Sequence, residues 1–279
     1  MRTVACTFLL GVIAAVAVLQ PSSPALGAPI SITDSFSGTQ LNTSIWSDAA
    51  TGKWAVSQND HLTMAGVETV YAWGTNGFLG SVITFYPHAP IDVQVDISVA
   101  GTGSGYHASV ALYGLAAGTY WGVVAPIYDP AASNDTQARF SSTQNGHNKY
   151  SGNLVAPPLV HGKTHTYRLA WDGENEAGVF MDGQHLGDFP LDLGSGPVGV
   201  WLQTSARLPG DTAIGELDNF SVIGVPWSSV GGIADVPAAA RAPEQATDAS
   251  DGGAVVVGGA AWAVVVGGAA WYARRRRGV

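Results

Sequence analysis

The sequence predicts an all-β protein in which two antiparallel sheets pack as a sandwich. Apolar and other residues alternate along Thr166–Trp171 and along Ile91–Val99, which is the period of a strand with one buried face. Asp182-Gly183 supplies the two positive-φ residues of a tight hairpin. The 36 Gly and 15 Pro, without a long amphipathic helical pattern, suit many short strands joined by turns. Because an apolar sheet face must be covered, a second sheet is expected.

The other predicted strands follow the same alternation or short apolar runs. They are Trp54–Ser57, Leu62–Met64, Phe78–Phe85, His107–Tyr113, Thr119–Ala125, Ala138–Ser142, Gly178–Met181 and Val198–Gln203. The segment Asn145–Lys163 is rich in turn residues and is expected to form an excursion at the rim of the domain.

Three stretches carry a family resemblance. Thr166–Phe189 contains a Y-R-L-x-W strand and a V-F-M-D-G hairpin, Asp34–Trp46 has the form D-x-F…L-x-x-x-x-W, and Gly215–Val222 reads as a closing strand. Together they resemble the concanavalin A-like lectin/glucanase jelly rolls. The resemblance implies one jelly-roll sandwich over residues 31–224 and a glycan-holding groove on one sheet face. One fold hosts many functions, so the activity must be argued from the site.

The N-terminus is predicted to be a secretory signal peptide over residues 1–28. Arg2 provides the charged start, Val4–Leu19 the apolar core, and Ala25-Leu26-Gly27 a small-x-small cleavage site. Cys6 is the only cysteine and lies within this leader, so the mature chain is expected to have neither a disulfide nor cysteine chemistry.

The C-terminus is predicted to tether the protein to a membrane. Residues 225–251 are rich in Ala, Pro, Gly, Ser and Asp and are expected to form a disordered linker. Residues 252–273 carry no charge and, as a helix about 33 Å long, would span a bilayer. The basic tail, residues 274–279, should then be cytoplasmic and the β-domain extracellular. The alternative is a glycine-weakened tail that never inserts.

The charge balance argues against a nucleic-acid partner. The formal net charge is −9, and four of the twelve positive residues fall in the single C-terminal run Arg274–Arg277. The sequence shows no basic face that could neutralise phosphates.

The residues that alternate with the core predict a second, solvent-facing surface. Aromatic rings cover the apolar faces of sugars, and amide, carboxylate and guanidinium groups bind hydroxyls, so a mixed face suits carbohydrate. The alternative is an ordinary wet sheet face without a ligand. Asp92, Gln94 and Ser109 belong to this surface, and the predicted ligand-binding residues on it are Asp96, His107, Tyr113, Tyr120, Arg139, Trp201 and Gln203.

Two acidic residues of the closing strand raise the question of hydrolysis. Glu216 and Asp218 give half of the E-x-D-x-x-E pattern of the glucanases that the chain resembles, but Ser221 stands where the second glutamate is expected. Two residues apart on a strand, they lie about 7 Å apart at their backbones, which does not exclude glycoside hydrolysis. They are the alternative catalytic candidates, although their place in the last strand argues against that role.

The resemblance also implies a metal site. Related domains commonly hold a structural calcium ion where the first and last strands meet, and Asp34 and Asp218 could provide carboxylate oxygens there. The alternative is that Asp34 caps a turn and Asp218 is a solvated or hydrogen-bonded strand acid.

The sequence therefore predicts an exported, membrane-tethered, lectin-like module that binds cell-surface or environmental glycans. The alternatives are a glycoside hydrolase or polysaccharide lyase on the same fold, and a non-catalytic adhesion or spacer domain.

Overall fold

The computed structural model describes residues 27–71, 73–115, 120–128, 136–144, 147–154, 159–160 and 162–227. Within these ranges the regular elements are β-strands, which confirms the predicted all-β class. The predictions for most of the signal peptide, residues 1–26, and for the linker beyond 227, the membrane helix and the basic tail lie outside the described residues. Nowhere in the described ranges is there a helix of the length and apolarity that crossing a bilayer requires.

Fifteen strands run between Ile30 and Gly224. They are β1 Ile30–Asp34, β2 Trp46–Asp48, β3 Lys53–Gln58, β4 Leu62–Val67, β5 Asn76–Ser81, β6 Ile91–Thr102, β7 Tyr106–Gly114, β8 Tyr120–Tyr128, β9 Thr136–Gln144, β10 His147–Asn153, β11 His165–Trp171, β12 Glu176–Met181, β13 Gln184–Pro190, β14 Val198–Ala206 and β15 Thr212–Gly224.

The strands form two antiparallel sheets. Sheet A has the order β13-β12-β11-β6-β15-β4-β3, with β1 also paired to β15, and sheet B has the order β10-β9-β8-β7-β14-β5-β2. Neighbours such as β6 and β15, or β7 and β14, are far apart in sequence. The fold is therefore the predicted two-sheet jelly-roll sandwich, in which long connections cross between the sheets.

The predicted alternation produces the core between the sheets. Along β11 every second residue from His165 to Trp171 is buried, and Val93, Val95 and Ile97 of β6 point the same way. Sheet B contributes the other half, including Val110 of β7. The sheets approach closely at Gly215, where a Cβ would lie 2.0 Å from the Thr204 hydroxyl oxygen.

The motif Asp34–Trp46 joins the two sheets at the start of the sandwich. Asp34 ends β1 in sheet A, opposite Phe220 of β15, and Trp46 begins β2 in sheet B. The Trp46 indole N–H donates to Asp34 Oδ2 at 2.9 Å, and its ring lies edge-on to Phe220 at 4.7 Å. Phe36 completes the cluster at 5.9 Å from Trp46.

The structure confirms one local prediction, a hairpin, and corrects another, a turn-rich excursion. The hairpin at Asp182-Gly183 is confirmed, since both residues have positive φ, 51° and 77°, between β12 and β13. The turn-rich excursion over Asn145–Lys163 is wrong in part, because β10 pairs there with β9. The alternation is weak in β10 because this strand lies at the edge of sheet B and carries polar residues.

Candidate functional site

The side of sheet B that faces away from the core, here called the outer face of sheet B, carries most of the predicted binding residues. His107, Ser109 and Tyr113 alternate along β7, and Trp201 and Gln203 alternate along the neighbouring β14. The register places Gln203 opposite Ser109. Pairing of two strands that are distant in sequence therefore brings these residues onto one surface, as predicted.

The middle of this face is built from small side chains. Ala111 of β7 lies opposite Trp201 of β14 and Val123 of β8. Val123 in turn lies opposite Ser141 of β9. Arg139 lies opposite Ala125 on the same side of the sheet. Ala111 and Val123 are buried in a cluster with Trp201, against which Phe78 and Tyr113 also pack.

An aromatic platform, defined here as Phe78, Trp201 and Tyr113, spans the three adjacent strands β5, β14 and β7. Tyr113 stacks on Trp201 with centroids 5.0 Å apart and planes at 26°, and Phe78 lies 5.8 Å from Trp201. Trp201 is only 3% exposed, whereas Phe78 and Tyr113 are half-buried. The outer two rings are therefore the ones that can meet a ligand.

Two glycines make room for the platform. A Cβ at Gly199, opposite Tyr113, would lie 2.7 Å from Tyr113 Cζ, so this ring rests on bare backbone. At Gly80 a Cβ would come no closer than 3.5 Å to Phe78, an ordinary contact. Burial raises the pKa of the Tyr113 phenol to about 12, so the hydroxyl is a neutral donor and acceptor at pH 7.

We expect Gly199→Ala to displace the Tyr113 ring, because the added methyl group overlaps it, while Gly80→Ala leaves the ring in place. The two substitutions add the same group to neighbouring strands of the same face. Near-ultraviolet circular dichroism, which reports on packed aromatic rings, should change for the first variant and stay close to wild type for the second. Equal spectra for both variants would contradict this account of Tyr113.

Polar atoms beside the platform are buried without a hydrogen-bond partner among the described residues. They include His107 Nδ1, Ser109 Oγ and Thr143 Oγ1. His107 is 8% exposed and Ser109 is 0% exposed. Desolvation, and to a lesser degree the positive charge of Arg139, lower the pKa of His107 to about 4, so its imidazole is neutral at pH 7. Since most buried polar groups are hydrogen-bonded, each exception calls for an explanation.

The predicted placement of Asp96 with this set is wrong. Asp92, Gln94 and Asp96 alternate correctly along β6, but β6 belongs to sheet A, so they lie on the opposite side of the molecule. There Thr166 donates to Asp96 Oδ1 and the Asn219 amide donates to Asp96 Oδ2 at 2.9 Å. Asp92 accepts two hydrogen bonds from Arg168 Nε, at 2.8 and 2.9 Å.

Trp201 and Tyr120 are also predicted binding residues of this face. Trp201 was expected to contact the ligand, but its burial beneath Phe78 and Tyr113 makes it the support of the platform instead. Tyr120 begins β8 opposite Gly114, and its side chain lies outside the described residues.

Glu216 and Asp218 do not lie near the aromatic platform. Both are on the outer side of sheet A, where Glu216 accepts a hydrogen bond from Ser98 Oγ at 3.2 Å and lies 3.9 Å from His61 Nε2. Asp218 accepts the backbone N–H of Asn219 at 2.8 Å. The alternative catalytic pair is therefore separated from the outer face of sheet B by the whole sandwich.

The proposed calcium residues have other partners in this structure. Asp34 Oδ1 accepts the Phe36 N–H at 2.8 Å, as in a turn, and Oδ2 accepts the Trp46 indole. In the part of the chain that the structure describes, no three or more His, Cys, Asp or Glu side chains gather as metal ligands. Calcium binding by Asp34 and Asp218 stays a prediction.

Sequence reasoning missed Phe78 and Trp73. Phe78 alternates with Leu79 in β5 and lies opposite Gln203, so extending the alternation rule to Asn76–Ser81 could have found it. Trp73 lies outside the regular strands and reaches His107 from the connection between β4 and β5. No local sequence pattern indicates such a contact.

Comparison with known proteins shows the fold. The sequence matches no family model and no curated protein. Three solved structures are similar: one from work on endo-acting O-glycanases of the human gut microbiota (TM-score 0.53, 14% identity, 70% of this chain and 98% of that chain), the Bacillus licheniformis β-glucanase (0.51, 17%, 71% and 98%), and a prokaryotic β-1,3-1,4-glucanase from a mouse hindgut metagenome (0.52, 13%, 70% and 99%).

These structures share the concanavalin A-like jelly roll, and this chain has the same fold. The predicted resemblance is therefore confirmed at the level of architecture. At 13–17% identity the likeness does not extend to activity.

Proposed function

We propose that this protein binds carbohydrate on the outer face of sheet B. The observation that carries the proposal is the aromatic platform beside buried polar atoms that have no hydrogen-bond partner in the described part of the chain. The half-buried rings of Tyr113 and Phe78 offer the apolar surface on which a sugar ring stacks, and Trp201 holds them in place. Gln203 lies opposite both Ser109 and Phe78, and its amide can donate hydrogen bonds to sugar hydroxyl groups and accept them.

Binding is favoured over hydrolysis by the chemistry of this face. Glycoside hydrolysis ordinarily uses two carboxyl groups on either side of the scissile bond. Of the strand residues that the structure describes on the outer face of sheet B, none is Asp or Glu. The similar solved structures include glucanases, which makes β-linked glucans the first ligands to test.

We expect Tyr113→Ala to weaken glycan binding by about two- to twelvefold, because loss of a stacking ring costs about 0.5–1.5 kcal/mol beyond the area it buries. Affinity electrophoresis and calorimetry with β-1,3-1,4-glucan, β-1,3-glucan and mucin glycans measure this change in affinity. Phe180→Ala is the matched control, since this half-buried ring lies on the outer side of sheet A over Arg168. No binding by the wild-type protein to any of these probes would reject the proposal, and release of reducing ends would favour the enzyme.

The location of the protein is part of the same proposal. Export through residues 1–28 and tethering through residues 252–273 would place the sandwich outside the cell, next to surface or environmental glycans. Cell fractionation and the mass of the mature N-terminus test both. A soluble, uncleaved product would contradict them.

A further inference from the structure

Trp73 covers one part of the outer face of sheet B. Its ring lies against the His107 ring, with centroids 4.8 Å apart and planes at 50°. Its backbone N–H donates to the Arg207 carbonyl at 3.2 Å. Trp73 is 4% exposed, so in this arrangement the two rings shield each other from water.

The backbone at Trp73 is strained. Its φ is 67°, a region that bulky residues rarely adopt. Such strain persists only where the surroundings enforce it, and it clusters at ligand sites and switch regions.

Three polar atoms, on Trp73, on His107 and on the next outward residue along β7, are buried and have no hydrogen-bond partner among the described residues: Trp73 Nε1, His107 Nδ1 and Ser109 Oγ. Three other buried indoles differ, because Trp46 donates to Asp34, Trp54 to Thr75 and Trp171 to the Leu191 carbonyl. Unpaired polar atoms make the covered state costly, since each has lost water without gaining a partner.

The chemistry of the His107 and Ser109 side chains indicates which ligand group would form hydrogen bonds with them. His107 and Ser109 are two residues apart on β7 and point to the same side, about 7 Å apart at their backbones. A hydroxyl group both donates and accepts, so it suits either tautomer of a neutral imidazole and the serine hydroxyl alike. A sugar ring carries several hydroxyl groups on a scaffold of this size.

We propose that His107 and Ser109 form a hydroxyl-binding subsite whose His107 end Trp73 covers, and that a sugar hydroxyl reaches it when the Trp73 side chain swings away. The inference rests on the proposed carbohydrate binding and adds to it the residues that read hydroxyl groups beside the aromatic platform. It also assigns Trp73 the role of a movable cover and not of a ligand contact.

Binding of laminaribiose and cellobiose, the disaccharides of β-1,3- and β-1,4-linked glucan, tests the subsite by calorimetry. Ser109→Ala and His107→Phe should each weaken binding about two- to tenfold, as expected for one lost hydrogen bond. Trp73→Ala should instead strengthen it about two- to tenfold, because the cover no longer has to be displaced. Trp73→Phe, which keeps a cover, should stay near wild type.

The indole N–H signals in a nitrogen-15 correlation spectrum give a readout that does not depend on affinity. The Trp73 signal, identified by its loss in Trp73→Phe, should shift when either disaccharide is added. The signals of Trp46, Trp54 and Trp171 are internal controls, since their N–H groups are already bonded inside the protein.

The outcomes separate this inference from the proposed function. If the sugars bind and Tyr113→Ala weakens binding, but the Trp73 signal does not move and Ser109→Ala binds as wild type does, the subsite is wrong and the platform stands. If the wild-type protein binds no glycan, the structure of a Trp73→Ala crystal soaked in glycerol tests whether the subsite exists. A glycerol hydroxyl hydrogen-bonded to His107 and Ser109 would support the subsite. An ordered water molecule in its place, with no glycerol, would overturn it.

Discussion

Trp46→Ala is expected to lower the free energy of unfolding by about 3–5 kcal/mol, the range for deleting a large buried aromatic side chain. Trp46 is 1% exposed and connects the two sheets through Asp34 and Phe220. The substitution would leave a cavity between β2 and β15 and remove the partner of Asp34 Oδ2. Denaturation by guanidinium chloride, followed by circular dichroism, measures the change.

Two companion variants make the measurement specific. Trp46→Phe keeps most of the ring but loses the indole N–H, so it should cost roughly 1–3 kcal/mol through the unpaired carboxylate oxygen. Ile223→Ala, at a side chain that is half exposed on β15, should change stability by about 0.5 kcal/mol or less. A loss below about 1 kcal/mol for Trp46→Ala would mean that this cluster does not hold the sheets together.

Acid should destabilise the protein through His107. The pKa of His107 falls from 6.5 to about 4 on folding, because burial disfavours the charged ring. A lowered histidine pKa means that the unfolded chain binds the proton first, so stability is complete above pH 6.5 and is lost as the pH falls toward 4. The loss from this group amounts to about 3 kcal/mol at pH 4.

The comparison of variants isolates this contribution from that of the carboxylates. His107→Phe has no group to titrate there, so its stability should fall by about 3 kcal/mol less than that of wild type between pH 7 and pH 4. His147→Asn, at an exposed histidine of β10, is the control and should follow wild type. Identical pH profiles for wild type and His107→Phe, measured by urea denaturation, would show that His107 is not a desolvated histidine.

The outer face of sheet B shows which parts of a site a sequence can supply. Alternation along β7 and β14 correctly placed His107, Tyr113, Trp201 and Gln203 away from the core, because side-chain direction in a strand is a local property. The same rule gave Asp96 the correct orientation but the wrong surface. Strand pairing decides the surface, and β6 pairs with β11 and β15 through contacts that are distant in sequence.

Burial of individual rings was not predictable either. Trp201 alternates as an exposed residue would, yet Phe78 and Tyr113 cover it from the two neighbouring strands. Tyr113 packs on Gly199, and Trp73 packs against His107. Both contacts join segments that are far apart in the sequence.

By itself the amino-acid sequence determined the all-β class, most of the strands, the Asp182-Gly183 hairpin and the side of the strand on which His107, Tyr113, Trp201 and Gln203 lie. These features follow from backbone geometry and turn chemistry over a few residues. Only the tertiary structure decided that Asp96, Glu216 and Asp218 lie across the sandwich from the aromatic platform. It also decided that polar atoms beside the platform are buried without a hydrogen-bond partner from the residues that the structure describes. Such relations arise from the pairing of strands far apart in the chain, which local periodicity does not encode.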